Sequence, residues 1–181
     1  MNKEKKIIKN WLKFFIAALI ISGLTAIPVE QELTFIISHF PFDGSIKGWL
    51  QQVLIGIQHT AKDYPFLFYG YDWLAFAHFV LAILFIGPLR DPVKNKWVIE
   101  FGVIACILII PFALVAGHFR GMPFWWRIID CSFGVVGIIP LSIVLNKIKL
   151  LENSQTNLNY HENKNDITRI DGSKESLLEA H

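Results

Sequence analysis

Residues 97–117 read WVIEFGVIACILIIPFALVAG and contain a single formal charge, that of Glu100. This stretch is too long for a strand and too apolar for the surface helix of a soluble protein. Because a helix rises about 1.5 Å per residue, roughly 20 apolar residues cross the ~30 Å hydrocarbon core of a bilayer. The stretch therefore predicts a transmembrane helix.

Three further stretches have the same character. Residues 11–27 are interrupted by Lys13, residues 73–89 contain His78, and residues 128–145 contain Asp130. Short turns after the second and third stretches indicate antiparallel neighbours. We therefore predict an all-α integral membrane protein, an antiparallel bundle of four transmembrane helices at about 8–28, 71–89, 96–118 and 124–147.

The first stretch also has a second interpretation, a cleaved signal peptide, because a basic start precedes its apolar core. The sequence Leu24-Thr25-Ala26-Ile27-Pro28 has leucine where a cleavage site needs a small residue, which favours a retained span. Cleavage would leave three spans.

The composition excludes several classes of protein. Of the 181 residues, 53% are hydrophobic and 18% are charged, against about 45–50% and about 25% in soluble domains. The apolar excess argues against disorder of the whole chain. A net charge of +2 provides no field for nucleic acid, and two cysteines cannot support a disulfide scaffold.

Lysine and arginine are unevenly distributed between the two sides of the predicted bundle. Ten flank the helix ends on the side of the termini, and four flank the opposite ends. By the positive-inside rule, both termini are cytoplasmic in a multi-pass protein of the cell membrane, which we expect to be a bacterial inner membrane. The ten are Lys3, Lys5, Lys6, Lys9, Lys13, Arg90, Lys94, Lys96, Lys147 and Lys149; the four are Lys47, Lys62, Arg120 and Arg127.

The outer segment between the first two spans is longer than a hairpin needs. It contains six apolar residues at the spacing of one helix face, which predict an amphipathic helix at about 45–61 that begins near Asp43 or Ser45. Such a helix would lie in the outer interface or fold over the bundle as a lid. The six are Ile46, Trp49, Leu50, Val53, Leu54 and Ile57.

The chain divides by composition near residue 150. Residues 1–150 form the four-span membrane domain with its outer helix. Residues 151–181 are polar and rich in asparagine, and they predict a disordered cytoplasmic tail.

Ionisable residues inside the spans suggest a site, because burying one costs at least ~2.5 kcal/mol unless it has a partner. His78 and Asp130 each lie seven residues inside a predicted outer span end, at a depth of about 10 Å. Arg127 stands three positions before Asp130, close enough for an ion pair on one helix. We predict an outward-opening pocket formed by these three residues, with a mouth lined by Asp72, His118, Arg120 and Glu30.

Small residues predict how the spans pack, because they let helix backbones approach closely in lipid. The second span has a stripe of Tyr71, Ala75, His78 and Ala82. The third has Gly102, Cys106, Ile109, Ala113 and Gly117, and the fourth has Arg127, Asp130, Cys131, Gly134, Ile138 and Leu141. These stripes are the predicted contact faces, with the polar residues turned towards other helices.

The sequence leaves any cofactor unknown. Haem held by two histidines is disfavoured, because His118 lies at the surface and His78 about 10 Å deeper. We predict no metal, and His78, His118 and Asp130 are weak candidate ligands that depend on a kink at Pro111. Cys106 and Cys131 differ in depth and are interpreted as packing residues.

The preferred function is that of a non-enzymatic binding or accessory subunit whose polar pocket opens outwards. One alternative is a membrane-embedded enzyme acting on a lipid, a quinone or a haem or metal centre at the outer leaflet. His78 would then be the acid and base and Asp130 would orient it, so that His78, Asp130 and Arg127 are the candidate catalytic residues. A second is proton-coupled transport by an oligomer, and a purely structural role of the polar residues is a third. The expected partners are the lipid bilayer and either a membrane protein or a second copy of the chain, with no nucleic acid.

Overall fold

The protein, seen in a computed structural model that describes residues 2–178, is helical along nearly all of this range, with no strand in it. The elements are α1 (Asn2–Ala26), α2 (Val29–His39), α3 (Gly44–Asp63), a 3-10 turn (Pro65–Phe68), α4 (Tyr69–Leu84), α5 (Ile86–Arg90), α6 (Lys96–Phe119) and α7 (Phe124–Leu178). The all-α class is confirmed.

Four helical segments are long and apolar enough to cross a membrane, as the sequence predicts. They are Lys3–Ala26, Pro65–Arg90, Lys96–Phe119 and Phe124–Ser154. The second begins earlier than predicted, at the 3-10 turn, and is divided where α4 ends at Leu84. Pro88 explains this division, because its nitrogen cannot donate to the Leu84 carbonyl and its ring clashes with that group.

The chain forms two compact units, residues 1–12 with 88–181, and residues 13–87. In the second unit, α1 packs closely on α4 at Gly23. A β-carbon on Gly23 would lie 2.9 Å from the Phe79 ring and 3.1 Å from both the Ala75 carbonyl oxygen and the His78 β-carbon. Ala75 and Ala82 are buried. Of the stripe predicted for the second span, Ala75, His78 and Ala82 therefore lie on a contact face, whereas Tyr71 is exposed.

The amphipathic helix predicted between the first two spans is present as α3. The Asp43 carboxylate accepts a hydrogen bond from the Ile46 amide at 2.8 Å, so Asp43 caps the helix start. Leu50 is 3% exposed and the other five residues of the predicted stripe are half-buried, whereas Ile55 on the opposite face is 56% exposed. A side-chain hydrogen bond from Gln58 Nε2 to Glu30 Oε1, 3.1 Å, links α3 to α2.

In the first unit, α6 and α7 pack closely against each other. Gly134 of α7 packs directly on the backbone carbonyl of Cys106 in α6. The Cys131 thiol donates to the Ile110 carbonyl over 3.7 Å, and Cys106, Ala113, Cys131 and Leu141 are all buried. The stripes predicted for the third and fourth spans are thus confirmed as packing faces.

Two ion pairs link α7 to α6 and to α1 in the same unit. Lys96 Nζ at the start of α6 lies 2.7 Å from Glu152 Oε2 of α7. Lys147 Nζ of α7 lies 2.9 Å from Glu4 Oε2 of α1. In the same unit, Ile8, Leu12, Val144 and Ile148 are almost completely buried. The first turns of α1 are therefore part of the core of this unit.

The backbone of α7 continues as helix to Leu178, past the end of the apolar stretch. The side chains of residues 155 and 157–181 lie outside the described part of the chain, as do residues 179–181 altogether. The disordered tail predicted for 151–181 therefore stays a prediction from composition.

Candidate functional site

The residues of the predicted outer pocket are divided between the two compact units. His78, Asp72 and Glu30 belong to residues 13–87, and Asp130, Arg127, His118 and Arg120 belong to the other unit. The contact between His78 and Asp130 would join the units and stays a prediction. Within each unit, the surroundings of these residues define what they can do chemically.

His78 is half-buried on α4 and makes a hydrogen bond to its own helix. Its Nδ1 lies 2.7 Å from the carbonyl oxygen of Leu74, one turn earlier. A carbonyl oxygen only accepts, so Nδ1 carries the proton of this hydrogen bond.

Arg127 of α7 is directed towards α6. The Cγ and Cδ atoms of Arg127 lie 2.6 Å from where a β-carbon on Gly117 would stand, so the arginine stem packs over this glycine. Its Nη1 donates to the Leu114 carbonyl at 3.3 Å, and the guanidinium carbon lies 5.3 Å from the centre of the Phe124 ring. Nε is buried, and no group among the described residues accepts its hydrogen bond.

The predicted ion pair between Arg127 and Asp130 is not among the ion pairs of the described residues. Both residues lie on α7, and Asp130 is half-buried. The spacing of three residues is compatible with such a pair, but packing of the Arg127 stem over Gly117 directs the guanidinium to the Leu114 carbonyl instead.

The four predicted mouth residues lie at helix ends or on the outer segment. Asp72 is exposed in the first turn of α4, and Glu30 of α2 accepts the hydrogen bond from Gln58. His118 and Arg120 are exposed at the end of α6. There the chain turns through Gly121, whose φ is +69°, and the Met122 amide donates to the Gly117 carbonyl at 2.8 Å.

No metal-binding cluster occurs in the part of the chain that the structure describes, where no three His, Cys, Asp or Glu side chains stand close enough together to hold an ion. Cys106 and Cys131 are both buried free thiols. Their burial at the α6–α7 contact agrees with the packing role predicted for them.

A basic cavity in the first unit was not predicted. Its volume is about 360 Å³, and it lies between the start of α1, the turn from α5 to α6, and α7. The positions of its four cations in the sequence predict only membrane orientation. The indication of this cavity in the sequence is the spacing of Lys5 and Lys9, which places both on one face of a helix. The cavity is lined by Lys5, Lys9, Arg90, Asp91, Pro92, Val93, Lys94 and Leu151.

Comparison of the chain with known protein families, with curated proteins and with solved structures gives no match.

Proposed function

We propose that this chain is a multi-pass membrane protein of a bacterial inner membrane, built as an antiparallel four-helix bundle with both termini in the cytoplasm. The observation that carries this proposal is the exposure of the apolar segments. In the most apolar part of each of the four, only 17–28% of the residues are buried inside the protein. The large side chains left exposed include Phe112 at 73%, Phe119 at 82% and Phe133 at 66%.

Exposure on this scale supports a lipid environment for these helices. Soluble monomers rarely expose apolar patches of more than a few hundred Å². Each large apolar side chain gains about 1.5–3 kcal/mol when it leaves water, and lipid provides that gain along the whole length of the helices. The uneven distribution of lysine and arginine supports the orientation, with the basic ends of α1, α5, α6 and α7 towards the cytoplasm.

Labelling of single cysteines tests this topology. In a background in which Cys106 and Cys131 are replaced by alanine, one cysteine is placed at Lys3, at His59 or at Lys149. A membrane-impermeant maleimide added to intact cells is expected to label position 59 alone, and to label positions 3 and 149 after the cells are opened. Labelling of position 3 or 149 in intact cells would contradict the orientation.

Within this topology, the chain acts as a binding or accessory subunit that uses an outward-facing polar pocket of His78, Asp130 and Arg127, with Asp72, His118, Arg120 and Glu30 at its mouth. Unused hydrogen-bonding capacity supports this role. Arg127 Nε has no acceptor in the described residues, and the hydrogen bond of His78 Nδ1 to Leu74 lies within its own helix, which leaves the other ring nitrogen for a further contact. Such groups favour a polar ligand, a membrane-protein partner or a second copy of the chain.

A double-mutant cycle of His78→Ala and Asp130→Ala tests whether the pocket exists. Removal of either side chain would leave the polar group of the other without a hydrogen-bond partner. Each single variant is therefore expected to lower the free energy of unfolding by about 1–3 kcal/mol, with clear coupling between the two substitutions. His59→Ala is the matched control, since His59 is exposed on α3. Additive effects would show that His78 and Asp130 do not meet.

Analysis of what the purified protein carries separates the proposed role from catalysis. The full chain in mild detergent is expected to retain lipid or a partner protein and to show no haem absorption and no stoichiometric metal. A Soret band or one metal ion per chain would instead support the membrane-embedded enzyme.

A further inference from the structure

Four cations converge on the basic cavity from two distant parts of the sequence. Lys5 and Lys9 stand one turn apart on α1, Arg90 ends α5, and Lys94 lies in the turn that follows. All four side chains belong to exposed residues, so they are accessible from solvent. Like charges gathered around one cavity repel each other, and this repulsion is relieved when an anion binds between them.

The acidic groups near the cavity are already engaged. Asp91 is the only acid in its lining; its Oδ1 accepts from the Lys94 amide at 3.2 Å, and its Oδ2 lies 3.7 Å from Lys94 Nζ. The nearby Glu4 and Glu152 are paired with Lys147 and Lys96. Lys5, Lys9 and Arg90 take part in none of the ion pairs of the described residues.

The remainder of the lining is apolar and lies beside the charges. Leu151 is 4% exposed, and Pro92 and Val93 are half-buried. The cavity volume of about 360 Å³ is within the range of ~300–1,000 Å³ that small-molecule sites occupy. Cations next to an apolar wall match the two halves of a phospholipid headgroup region, the phosphate and the glycerol with its first acyl carbons.

We propose that this cavity binds a phosphate group, and that the phosphate is the headgroup of an anionic phospholipid in the cytoplasmic leaflet. Arg90 provides planar paired donors that match phosphate oxygens, and Lys5 and Lys9 provide point charges. Basic pockets at the cytoplasmic ends of transmembrane helices commonly bind such headgroups. The site is distinct from the outer polar pocket, which lacks these residues, and its test is independent of that pocket.

Membrane orientation alone offers a different explanation of the same charges. The positive-inside rule requires only that lysines lie near the cytoplasmic helix ends, whether or not they share a cavity. Lys3 and Lys6 meet this requirement equally well on the same helix, and neither lines the cavity. The variants Lys5→Gln/Lys9→Gln and Lys3→Gln/Lys6→Gln therefore remove equal charge from the same segment and differ in contact with the cavity.

The experiment measures binding to the full-length protein in neutral detergent by native mass spectrometry. Phosphatidylglycerol and phosphatidylcholine are titrated separately, and inorganic phosphate is tested as a competitor. Lys5→Gln/Lys9→Gln is expected to weaken phosphatidylglycerol binding by about 10- to 30-fold, and Lys3→Gln/Lys6→Gln by less than about threefold. Phosphatidylcholine binding is expected to be weaker than phosphatidylglycerol binding and to be unchanged in both variants.

Two results would overturn the proposal: equal losses in the two double variants, which would indicate a diffuse potential, or no loss in either. If inorganic phosphate binds with the same dependence on Lys5 and Lys9 and phosphatidylglycerol does not, the phosphate site stands and its source is a soluble anion. Circular dichroism and cysteine labelling check the fold and orientation of each variant. Arg90→Gln replaces the double variant if that variant does not fold, with the same expected direction of change.

Discussion

Replacement of Gly134 by alanine tests the packing on which the first unit depends. A β-carbon at this position would meet the Cys106 carbonyl oxygen at a distance that real β-carbons do not reach, and it would lie 3.4 Å from the Ile109 β-carbon. The obstructing atom belongs to the backbone of α6 and cannot rotate away as the end of a flexible side chain would. The α6 and α7 helices must therefore separate.

The size of the effect follows from two opposing contributions. Overpacking of a closely fitted contact costs about 1–3 kcal/mol. Alanine is better than glycine inside a helix by up to about 1 kcal/mol, which offsets part of that cost. We therefore expect Gly134→Ala to lower the free energy of unfolding by about 1–2 kcal/mol. A lost α6–α7 contact would also expose Cys106 and Cys131 to thiol reagents.

Gly56→Ala provides the matched control. Gly56 lies inside α3, and no atom stands within 4 Å of the position that its β-carbon would take. This variant is expected to be unchanged or stabilised by about 0.5–1 kcal/mol through helix propensity. The assay is denaturant unfolding in detergent micelles, followed by far-UV circular dichroism. If Gly134→Ala is as stable as Gly56→Ala, the close approach of α6 and α7 at this point is refuted.

Two further predictions concern the ends of the same helices. Gly121→Ala is expected to lower the free energy of unfolding by about 1–2 kcal/mol, because the φ of +69° at this position is unfavourable for a residue with a β-carbon. An unchanged melting temperature would contradict the turn geometry. A double-mutant cycle of Glu4→Gln and Lys147→Met is expected to give a coupling energy of about 0.2–1 kcal/mol. This coupling should decrease with salt, since both side chains are about one-third exposed. Zero coupling at low salt would show that the ion pair does not contribute to the free energy of unfolding.

The prediction of the spans and their faces succeeded because both depend on quantities that are local in the sequence. The thickness of the hydrocarbon core sets the length of an apolar run, and the helical repeat of 3.6 residues places Cys131 and Gly134 on one side of their helix. The same periodicity identified the half-buried face of α3, and the side-chain chemistry of aspartate identified its cap at Asp43.

The groups that surround His78 and Arg127 could not be predicted from local sequence patterns. The Arg127–Asp130 spacing suggested a pair on one helix, whereas Gly117 on the neighbouring helix leaves room for the arginine stem and directs its guanidinium to Leu114. The hydrogen bond of His78 to Leu74 sets which ring nitrogen carries the proton. The spacing of the polar residues in the sequence does not determine either hydrogen bond, because each depends on the group that lies nearest in space.

The amino acids alone determined the number of apolar helices, their small-residue faces and the excess of positive charge on one side. Folding added the cavity between Lys5, Lys9 and Arg90, and it joined the first turns of α1 to α7 through Glu4 and Lys147. The physical reason is the range of the interactions. Hydropathy and helical periodicity act between neighbours in the chain, whereas a binding cavity is made by side chains that only packing brings together.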